Sequence, residues 1–313
     1  MRTIFLGNDS WSVPTLEALA SAEPVGVELV ITNPPRPAGR GSRPTPTPVD
    51  DAARRLDVEV MEVAGVREGE GRAAIERIEP DVVVVVAYGE ILTPDVLAVP
   101  RLGTVNLHFS LLPRWRGAAP VQRAILEGDE TTGVSVMLLD AGLDTGPVLA
   151  SAETAIRSDD DAGSLGDRLA SDGAGLVVDT LLALDAGTAI PVAQTDDGVT
   201  IAGKLTSDER IIDWSNRSDA IVRRVRAFAP SPGATTTFRG ALLKIVRASS
   251  WQAGDASSPG EIGAVHVEPG GVPLVTASGG QVALLEVVPA GRARMSGADW
   301  ARGARIEPGE RCR

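Results

Sequence analysis

Short apolar runs alternate with stretches of helical spacing along the first 190 residues. The spacing predicts helices over five segments: Pro14–Ala20, Asp50–Leu56, Gly71–Ile78, Pro120–Leu126 and Asp160–Leu184. The apolar runs predict seven strands: Thr3–Gly7, Val25–Thr32, Val58–Val63, Asp81–Ala87, Thr104–His108, Gly133–Leu139 and Pro147–Glu153. The run Asp81–Ala87 is almost all valine, which is typical of a parallel strand buried on both faces. Alternating strands and helices predict an α/β domain with a mostly parallel, Rossmann-like sheet.

The pattern changes after Gly187. A polar stretch predicts a linker, and Ser218–Phe228 then predicts one basic helix. Short apolar runs separated by glycine and proline turns follow it: Ala241–Arg247, Leu274–Ala277 and Val282–Val288. This pattern predicts a small OB-like β-barrel. We therefore predict a catalytic domain over 1–188, a linker over 189–207 and a barrel domain over 208–313.

The segment Asn33–Pro48 interrupts the first domain. It contains six prolines and two glycines, a composition that predicts a long irregular loop. It also holds Arg36, Arg40 and Arg43 and no acidic residue. A solvated surface loop and a segment that binds an anionic partner both agree with this composition.

The composition of the chain excludes some classes of protein. The 313 residues are enough for two domains, and their single cysteine, Cys312, excludes a cysteine-rich metal site. We expect Cys312 to have no role. No run of eighteen apolar residues and no signal segment after Met1 is present, so we expect a cytoplasmic protein without a membrane partner.

Net charge divides the chain into two parts of opposite sign. Overall it is −12, which argues against a nucleic-acid partner. However, residues 209–313 carry 14 basic and 10 acidic side chains, a net +4, whereas residues 1–208 carry −16. Because the C-terminal part is basic, it could still bind an anionic partner.

The end of one predicted strand carries the chemistry. Gly7 is followed by Asn8, so the dinucleotide-binding glycine fingerprint is missing, and no phosphate-binding Gly-Lys-Ser/Thr loop occurs. Asn106 and His108 lie two residues apart at the end of Thr104–His108, where open α/β sheets bind their ligands. Side chains two apart on a strand share a face, so an amide and an imidazole can enter one cleft. Alternatively, both are hydrogen-bonded core groups.

A carboxylate could complete this site. The sequence LLDAGLDTGPVL places Asp140 and Asp144 in a loop between two predicted strands. Either could orient His108 and favour its charged form. A solvated turn residue is the simpler interpretation of Asp140.

Four segments of the sequence resemble the methionyl-tRNA formyltransferase family, and the resemblance extends along essentially the whole chain. They are RPAGRG (36–41), VVAYGEIL (85–92), NLHFSLLPRWRGAAPVQ (106–122) and LDAGLDTG (139–146). Asn-x-His with a later Asp indicates only formyl-folate enzymes in general, whereas RPAGRG and SLLPRWRGAAPVQ are more specific. IDWSN and RAFAPSPG resemble the start of the family's C-terminal domain. One departure is Phe109, where many members carry a small residue.

The resemblance implies a reaction and its residues. A formyl group moves from 10-formyltetrahydrofolate to the amino group of methionine on initiator tRNA, with Asn106, His108 and Asp144 as the catalytic residues and no metal. The family's folate contacts match Val86, Ala87, Tyr88, Gly89, Ile91, Leu92, Ser110, Leu111, Leu112, Pro113 and Asp140. Its tRNA contacts match Arg36, Arg40, Arg43, Arg114 and Lys244. We expect a monomer.

Basic residues also surround the proposed site in the sequence. The stretch 101–126 contains Arg101, Arg114, Arg116 and Arg123 and no acidic residue. This composition predicts a second basic island beside the one at Asn33–Pro48. Charge runs are usually solvated faces, whereas the family match and the net +4 of residues 209–313 favour a role in tRNA binding.

Two other functions remain open at this point. A sugar-nucleotide N-formyltransferase would share the folate half and the three catalytic residues, but it would not need an arginine-rich loop or a basic C-terminal domain. A non-catalytic RNA-binding module would not need the α/β scaffold with Asn106, His108 and Asp144.

Overall fold

The computed structural model describes residues 1–38, 43–251 and 261–313. The helices are α1 Val13–Ser21, α2 Pro48–Arg55, α3 Gly69–Ile78, α4 Pro94–Leu97, α5 Pro120–Glu127, α6 Ala162–Asp185, α7 Ser218–Phe228 and α8 Gly297–Ala304. The first strands are β1 Arg2–Gly7, β2 Gly26–Thr32, β3 Arg36–Ala38, β4 Arg43–Thr45, β5 Val60–Glu62, β6 Val82–Val86, β7 Thr104–His108, β8 Arg116–Gly117, β9 Thr131–Leu138, β10 Val148–Ala155 and β11 Ile201–Ala202. The later strands are β12 Ala234–Phe238, β13 Ala241–Trp251, β14 Val265–Val267, β15 Pro273–Ala277, β16 Gly280–Pro289 and β17 Met295–Ser296.

The main sheet has seven strands in the order β10-β9-β7-β6-β1-β2-β5. The five strands from β7 to β5 are parallel, and β9 and β10 are antiparallel to their neighbours. The predicted α/β class and mostly parallel sheet are confirmed. The valine run of β6 is buried throughout because it lies between β1 and β7.

The order in which strands are added to the sheet reverses beside β1. It adds β2 and β5 on one side and then returns to add β6 and β7 on the other. At such a switch point the loops after neighbouring strands separate and leave a crevice, which is where open α/β sheets bind ligands. The loops that follow β1, β6 and β7 therefore lie at the edge where a site is expected.

The Asn33–Pro48 segment is not wholly irregular, which corrects the prediction. Its strands β3 and β4 pair in antiparallel register, with Pro37 opposite Pro44. Helix α2 then begins at Pro48 and is capped by the Thr47 hydroxyl, which accepts from the Asp50 amide. A two-stranded ladder tolerates proline because each strand has a free edge, where a missing N–H costs nothing.

The C-terminal part forms an antiparallel sheet in the order β12-β13-β16-β15-β14, with β17 beside β16. Both edge strands bond to the chain end: Phe238 is bridged to Cys312, and Ala264, which precedes β14, is bridged to Arg311. The tail thus links the two edges, as the predicted small barrel requires. Cys312 is buried between them, and burial raises the pKa of its thiol to about 12. Cys312 is thus a core residue of this part, and its lack of a functional role stays a prediction.

The contacts group the chain into two compact units. The first contains 1–120, 131–155 and 166–203, and the second contains 121–130, 156–165 and 204–313. The predicted linker 189–207 includes β11, which pairs with β8 in the first unit. The predicted domain limits at residues 188 and 208 stay predictions.

Candidate active site

Strand β7 presents Asn106 and His108 at its C-terminal end. Asn106 lies opposite Val85 of β6 and Met137 of β9, and His108 lies opposite Ser135. Both side chains are largely buried. Within residues 1–38, 43–251 and 261–313, no hydrogen bond engages the Asn106 carboxamide. The Asn106 carboxamide is not among the fully buried polar groups that lack a partner, so it keeps some access to solvent and has hydrogen-bonding capacity that a ligand could use.

The contacts of the His108 ring determine which nitrogen carries the proton. Nε2 lies 2.9 Å from the carbonyl oxygen of Trp115. A carbonyl oxygen only accepts, so Nε2 must be the N–H donor. In the neutral ring Nδ1 is then a lone pair, and it lies 3.7 Å from Oδ2 of Asp144, which is too long for a hydrogen bond. Two acceptors therefore face each other across a gap, and a proton on Nδ1 or a donor from a ligand would satisfy both.

The backbone of Asp144 is strained. Its φ is +52°, in the left-handed region, which costs a non-glycine residue roughly 1 kcal/mol or more. Its carboxylate Oδ2 accepts a 2.8 Å hydrogen bond from the amide of Gly117. Gly117 itself has a φ of +120°, and a Cβ there would lie 2.8 Å from the carbonyl oxygen of Ala202. Only glycine fits the position that donates to this carboxylate.

A second segment, residues 192–202, supports the Asp144 loop. Val192 pairs with Val148 through two 2.8 Å backbone bonds, and Thr200 accepts from the amides of Trp115 and Arg116. Between these anchors, Gln194 Nε2 donates to the carbonyls of Asp144 at 2.9 Å and Gly146 at 2.7 Å. These supporting residues were missed from the sequence, because no motif marks a contact between distant segments.

The residues matched to folate contacts after β6 form the rim of the crevice. Ala87 and Gly89 both have positive φ, which makes a sharp turn directly after the strand. The Asn8 amide donates to the carbonyl of Tyr88, and its Oδ1 accepts from Thr32 and Asn33. Asn8 thus joins the loops after β1, β2 and β6, another contribution that the sequence did not reveal.

Side chains along this rim differ sharply in exposure. Val86 and Leu92 are buried in the core, whereas Ile91 is 56% exposed. Tyr88 is buried, and among the described residues its hydroxyl has no hydrogen-bond partner. Burial, and to a smaller extent the charge of Glu90, raises the pKa of Tyr88. Val86, Tyr88 and Leu92 therefore support the rim, and the turn and Ile91 face outward.

The turn after β7 is held by serine hydroxyls. Ser110, which is fully buried, donates to the carbonyl of Arg114 at 2.6 Å. Ser135 donates to the carbonyl of Ser110 and accepts from the amide of Leu112. Leu111, Leu112 and Pro113 are partly exposed. This network fixes the chain that carries Trp115, whose carbonyl accepts from His108.

The described hydrogen bonds of Asp140 lie within its own loop. It is exposed, and its Oδ1 accepts from the Gly142 amide at 2.9 Å and the Thr145 hydroxyl at 2.6 Å. These bonds close a turn. Of the two aspartates in the loop, Asp144 is the one that the structure brings to His108. A folate contact by Asp140 stays a prediction from the family resemblance.

Phe109 packs on the other face of the sheet from Asn106 and His108. Its ring lies 5.7 Å from that of Trp11, centroid to centroid. Trp11 in turn covers Gly166 of α6, where a Cβ would lie 2.0 Å from the indole. The large residue at 109 therefore fills space against Trp11, on the side of the strand away from Asn106 and His108.

The residues matched to tRNA contacts belong to both units. Arg36 is exposed on β3, and the Arg114 guanidinium lies 4.4 Å from the Trp115 ring centroid. Lys244 is half-buried on β13. Arg43 begins β4, and Arg40 lies outside the described residues.

The basic island predicted over 101–126 is smaller than the sequence suggested. Arg101 contacts both Asp81 and Asp185 at 3.1 Å, and Arg123 contacts Glu209 at 2.5 Å. Hydrogen bonds from Arg123 hold the pKa of Glu209 at about 2. Both arginines therefore pair with carboxylates that are distant in sequence. The prediction that they belong to an unpaired basic island, which counted charges only along the chain, was wrong for these two.

Within residues 1–38, 43–251 and 261–313, no helix combines the length and the apolar composition of a membrane-spanning segment. In the same part of the chain, no group of three or more His, Cys, Asp or Glu side chains could hold a metal ion.

Comparison with known families gives two matches. The formyl transferase model matches residues 1–181, and the formyl transferase C-terminal domain model matches residues 204–305. Among curated relatives, the methionyl-tRNA formyltransferase of Halorhodospira halophila is 46% identical over 311 residues, covering 99% of this chain and 98% of the relative. That of Jannaschia sp. is 45% identical over 310 residues, covering 99% of both.

Solved structures share the fold at low identity. HypX from Aquifex aeolicus has a TM-score of 0.66 at 17% identity, covering 96% of this chain and 48% of that one. An N-formyltransferase from Helicobacter canadensis, in complex with folinic acid and dTDP-3-aminofucose, has a TM-score of 0.64 at 17% identity, covering 90% of this chain and 98% of its own. At this identity the likeness shows the fold alone.

Proposed function

The chain belongs to the formyl transferase family, and from that membership we infer that it transfers the formyl group of 10-formyltetrahydrofolate to the α-amino group of methionine on initiator tRNA. Relatives 41–46% identical over 98–99% of this chain are named methionyl-tRNA formyltransferase. Fold similarity also includes a sugar 3N-formyl transferase, but at 14% identity. Sequence identity over the full length therefore favours the tRNA substrate.

The chemistry requires one carbon–nitrogen bond to form and another to break. The methionyl nitrogen attacks the formyl carbon, the bond from that carbon to N10 of the folate breaks, and one proton passes from the amine to N10. Negative charge develops on the formyl oxygen on the way. Donors already in place at that oxygen, and a group that accepts the amine proton, are what an enzyme can add.

Asn106 is the first donor. Its carboxamide is held by β7 near the strand end and has no hydrogen bond to the described part of the chain. It can therefore donate to the formyl oxygen without breaking an existing bond. Such preorganisation is the reason that a single donor of this kind is worth a factor of about 10²–10³ in rate.

His108 and Asp144 act as a pair. Since Nε2 already donates to Trp115, His108 can donate to the formyl oxygen only from Nδ1, which requires the charged ring. The carboxylate of Asp144 faces that nitrogen at 3.7 Å, where it can orient the ring. Asp144 then accepts the amine proton, directly or through one water. The 3.7 Å approach of these two groups is the observation that carries the assignment.

The folate lies along the crevice at the switch point. We assign its contacts to the outward-facing turn 87–91 and to residues 110–113 after β7, with the buried Val86 and Leu92 as support. The basic residues Arg36, Arg40, Arg43, Arg114 and Lys244 contact the tRNA phosphates. Both substrates are bound by one chain, so the enzyme acts as a monomer, and it works in the cytoplasm, where translation begins.

A comparison of acceptors tests this function. Labelled 10-formyltetrahydrofolate is supplied with charged initiator tRNA, charged elongator methionyl-tRNA or an amino-sugar nucleotide, and kcat/KM is measured for each. The initiator tRNA should be formylated far better than the others. Preferential formylation of the sugar nucleotide would instead favour the alternative family member.

A further inference from the structure

The side chain of Gln194 connects two parts of the active site that are far apart in sequence. Its Nε2 donates to two carbonyls of the 139–147 loop, those of Asp144 and Gly146. Its Oε1 accepts a 2.9 Å bond from Nε of Arg116. Two carbonyls require the amide nitrogen and an N–H requires the amide oxygen, so these partners fix the orientation of the carboxamide without ambiguity.

We propose that Gln194 is the positioning residue that holds Asp144 opposite His108. Because Asp144 has a left-handed φ, its carbonyl would relax toward ordinary backbone conformations unless something held it. Gln194 binds that carbonyl and the carbonyl two residues further on, so it restrains the loop directly after the strained bond. The proposal rests on the catalytic role assigned to Asp144.

Arg116 holds the Gln194 side chain in place through its bond to Oε1. It lies in β8, one residue before Gly117, whose amide donates to the Asp144 carboxylate. The same two-residue strand therefore holds the Asp144 side chain through Gly117 and its backbone through Arg116 and Gln194. Both ends of the 192–202 segment are bonded to neighbours, so Gln194 cannot drift away from the loop as a free side chain would.

The chemistry of the amide makes the test selective. Gln194→Met keeps the length and removes every hydrogen bond, whereas Gln194→Glu keeps an acceptor for Arg116 and loses both donors to the loop. Gln194→Asn keeps the amide on a shorter stem. The matched control is Thr195→Ala, which changes the next residue, an exposed one whose hydroxyl bonds only within its own turn.

We expect Gln194→Met and Gln194→Glu to lower kcat by on the order of 10- to 100-fold, because a carboxylate displaced by about 1 Å loses this much. KM for the folate and for the tRNA should stay within a few-fold of the parent. Gln194→Asn should recover part of the loss, and Thr195→Ala should retain the parental kcat. The His108 ring signals in NMR spectra should move in the Met and Glu variants and not in the control.

A double variant separates this proposal from the assignment of Asp144. If Gln194 acts through Asp144, adding Gln194→Met to Asp144→Asn should cost no more than Asp144→Asn alone. Additive losses, or a normal kcat in both Gln194→Met and Gln194→Glu, would overturn the positioning role while an inactive Asp144→Asn left the proposed function intact. A fully active Asp144→Asn would instead contradict the proposed function.

Discussion

At the residue scale, the chemistry depends on which His108 nitrogen carries the proton. The chain has two histidines, so the imidazole spectrum is simple. At slightly alkaline pH, His108 should show the Nε2-protonated tautomer, because Nε2 donates to the Trp115 carbonyl. Long-range ¹H–¹⁵N correlation spectra test this, and a His266→Gln variant assigns the signals. An Nδ1-protonated ring would contradict the geometry.

A second residue-scale prediction concerns Arg40. It rests on the sequence of the Asn33–Pro48 loop, whose arginines lack neighbouring acids. Arg40→Ala should sharply lower kcat/KM for charged initiator tRNA, and it should change thermal stability by less than about 0.5 kcal/mol. Arg40→Lys should restore only part of the activity, because lysine lacks the planar fork that binds a phosphate through two hydrogen bonds.

The control for Arg40 is Arg101→Ala, because carboxylates already neutralise Arg101 on both sides. Formyl-folate affinity should be unchanged in every variant. If Arg40→Ala formylates tRNA as well as the parent, the loop has no part in tRNA recognition. If Arg40→Ala loses folate binding, the loop acts in folate binding and not in tRNA recognition.

How much of the site was predictable depends on sequence separation. Asn106 and His108 could be found because strand alternation places neighbours two apart on one face. The loop between two predicted strands offered both Asp140 and Asp144 as the carboxylate, and the family resemblance selected Asp144. Gln194 lies 50 residues from Asp144 and 78 from Arg116, so no local pattern marks its contacts. Such contacts become visible only once the chain is folded.

At the element scale, helix α6 tests how tightly the first unit packs. A Cβ on Gly166 would lie 2.0 Å from the Trp11 indole, whereas a Cβ on Gly175 of the same helix would meet nothing within 4 Å. Gly166→Ala should lower the free energy of unfolding by about 1–3 kcal/mol through overpacking. It should also reduce kcat, since a displaced Trp11 presses on Phe109, the residue after His108.

Gly175→Ala provides the matched control, because alanine reduces the conformational entropy of the unfolded chain without a steric cost there. It should raise stability by up to about 1 kcal/mol and leave kcat unchanged. Denaturant titration of both variants measures the difference. Equal effects at the two positions would show that Trp11 is not packed on Gly166.

Some elements escaped sequence analysis for physical reasons. The β3/β4 pair was missed because prolines argue against strands, although a two-stranded ladder has free edges to accommodate them. Helix α8 was missed because its sequence, GADWARGA, contains two glycines, which disfavour helices. Helix α7 and strand β7 were predicted at their observed bounds.

At the scale of the whole molecule, charge along the sequence is only a partial guide to binding. The +4 of residues 209–313 favours tRNA binding by that part, yet many of its arginines already contact acids, such as Arg239 with Glu310. Lys244, by contrast, has no carboxylate within 4 Å among the described residues, so its charge is available to a partner. Lys244→Ala should weaken tRNA binding and lower the slope of log K against log salt by about one phosphate contact.

The paired Arg239 supplies the comparison. Arg239→Ala should leave the salt slope nearly unchanged, because its charge is already compensated by Glu310. Binding of both variants to charged initiator tRNA is measured over a range of salt concentrations. An unaltered slope for Lys244→Ala would remove this residue from the tRNA surface.

The central claim is that this chain formylates methionyl-tRNA with Asn106, His108 and Asp144. The most direct measurement is single-turnover transfer of label from formyl-¹⁴C 10-formyltetrahydrofolate to charged initiator tRNA by the parent and by Asn106→Ala. The account predicts labelled N-formylmethionine after deacylation, with the rate reduced by about 10²–10³-fold in the variant while folate affinity and melting temperature are retained. Parental transfer by a folded Asn106→Ala, or no labelled formylmethionine from the parent enzyme, would contradict it.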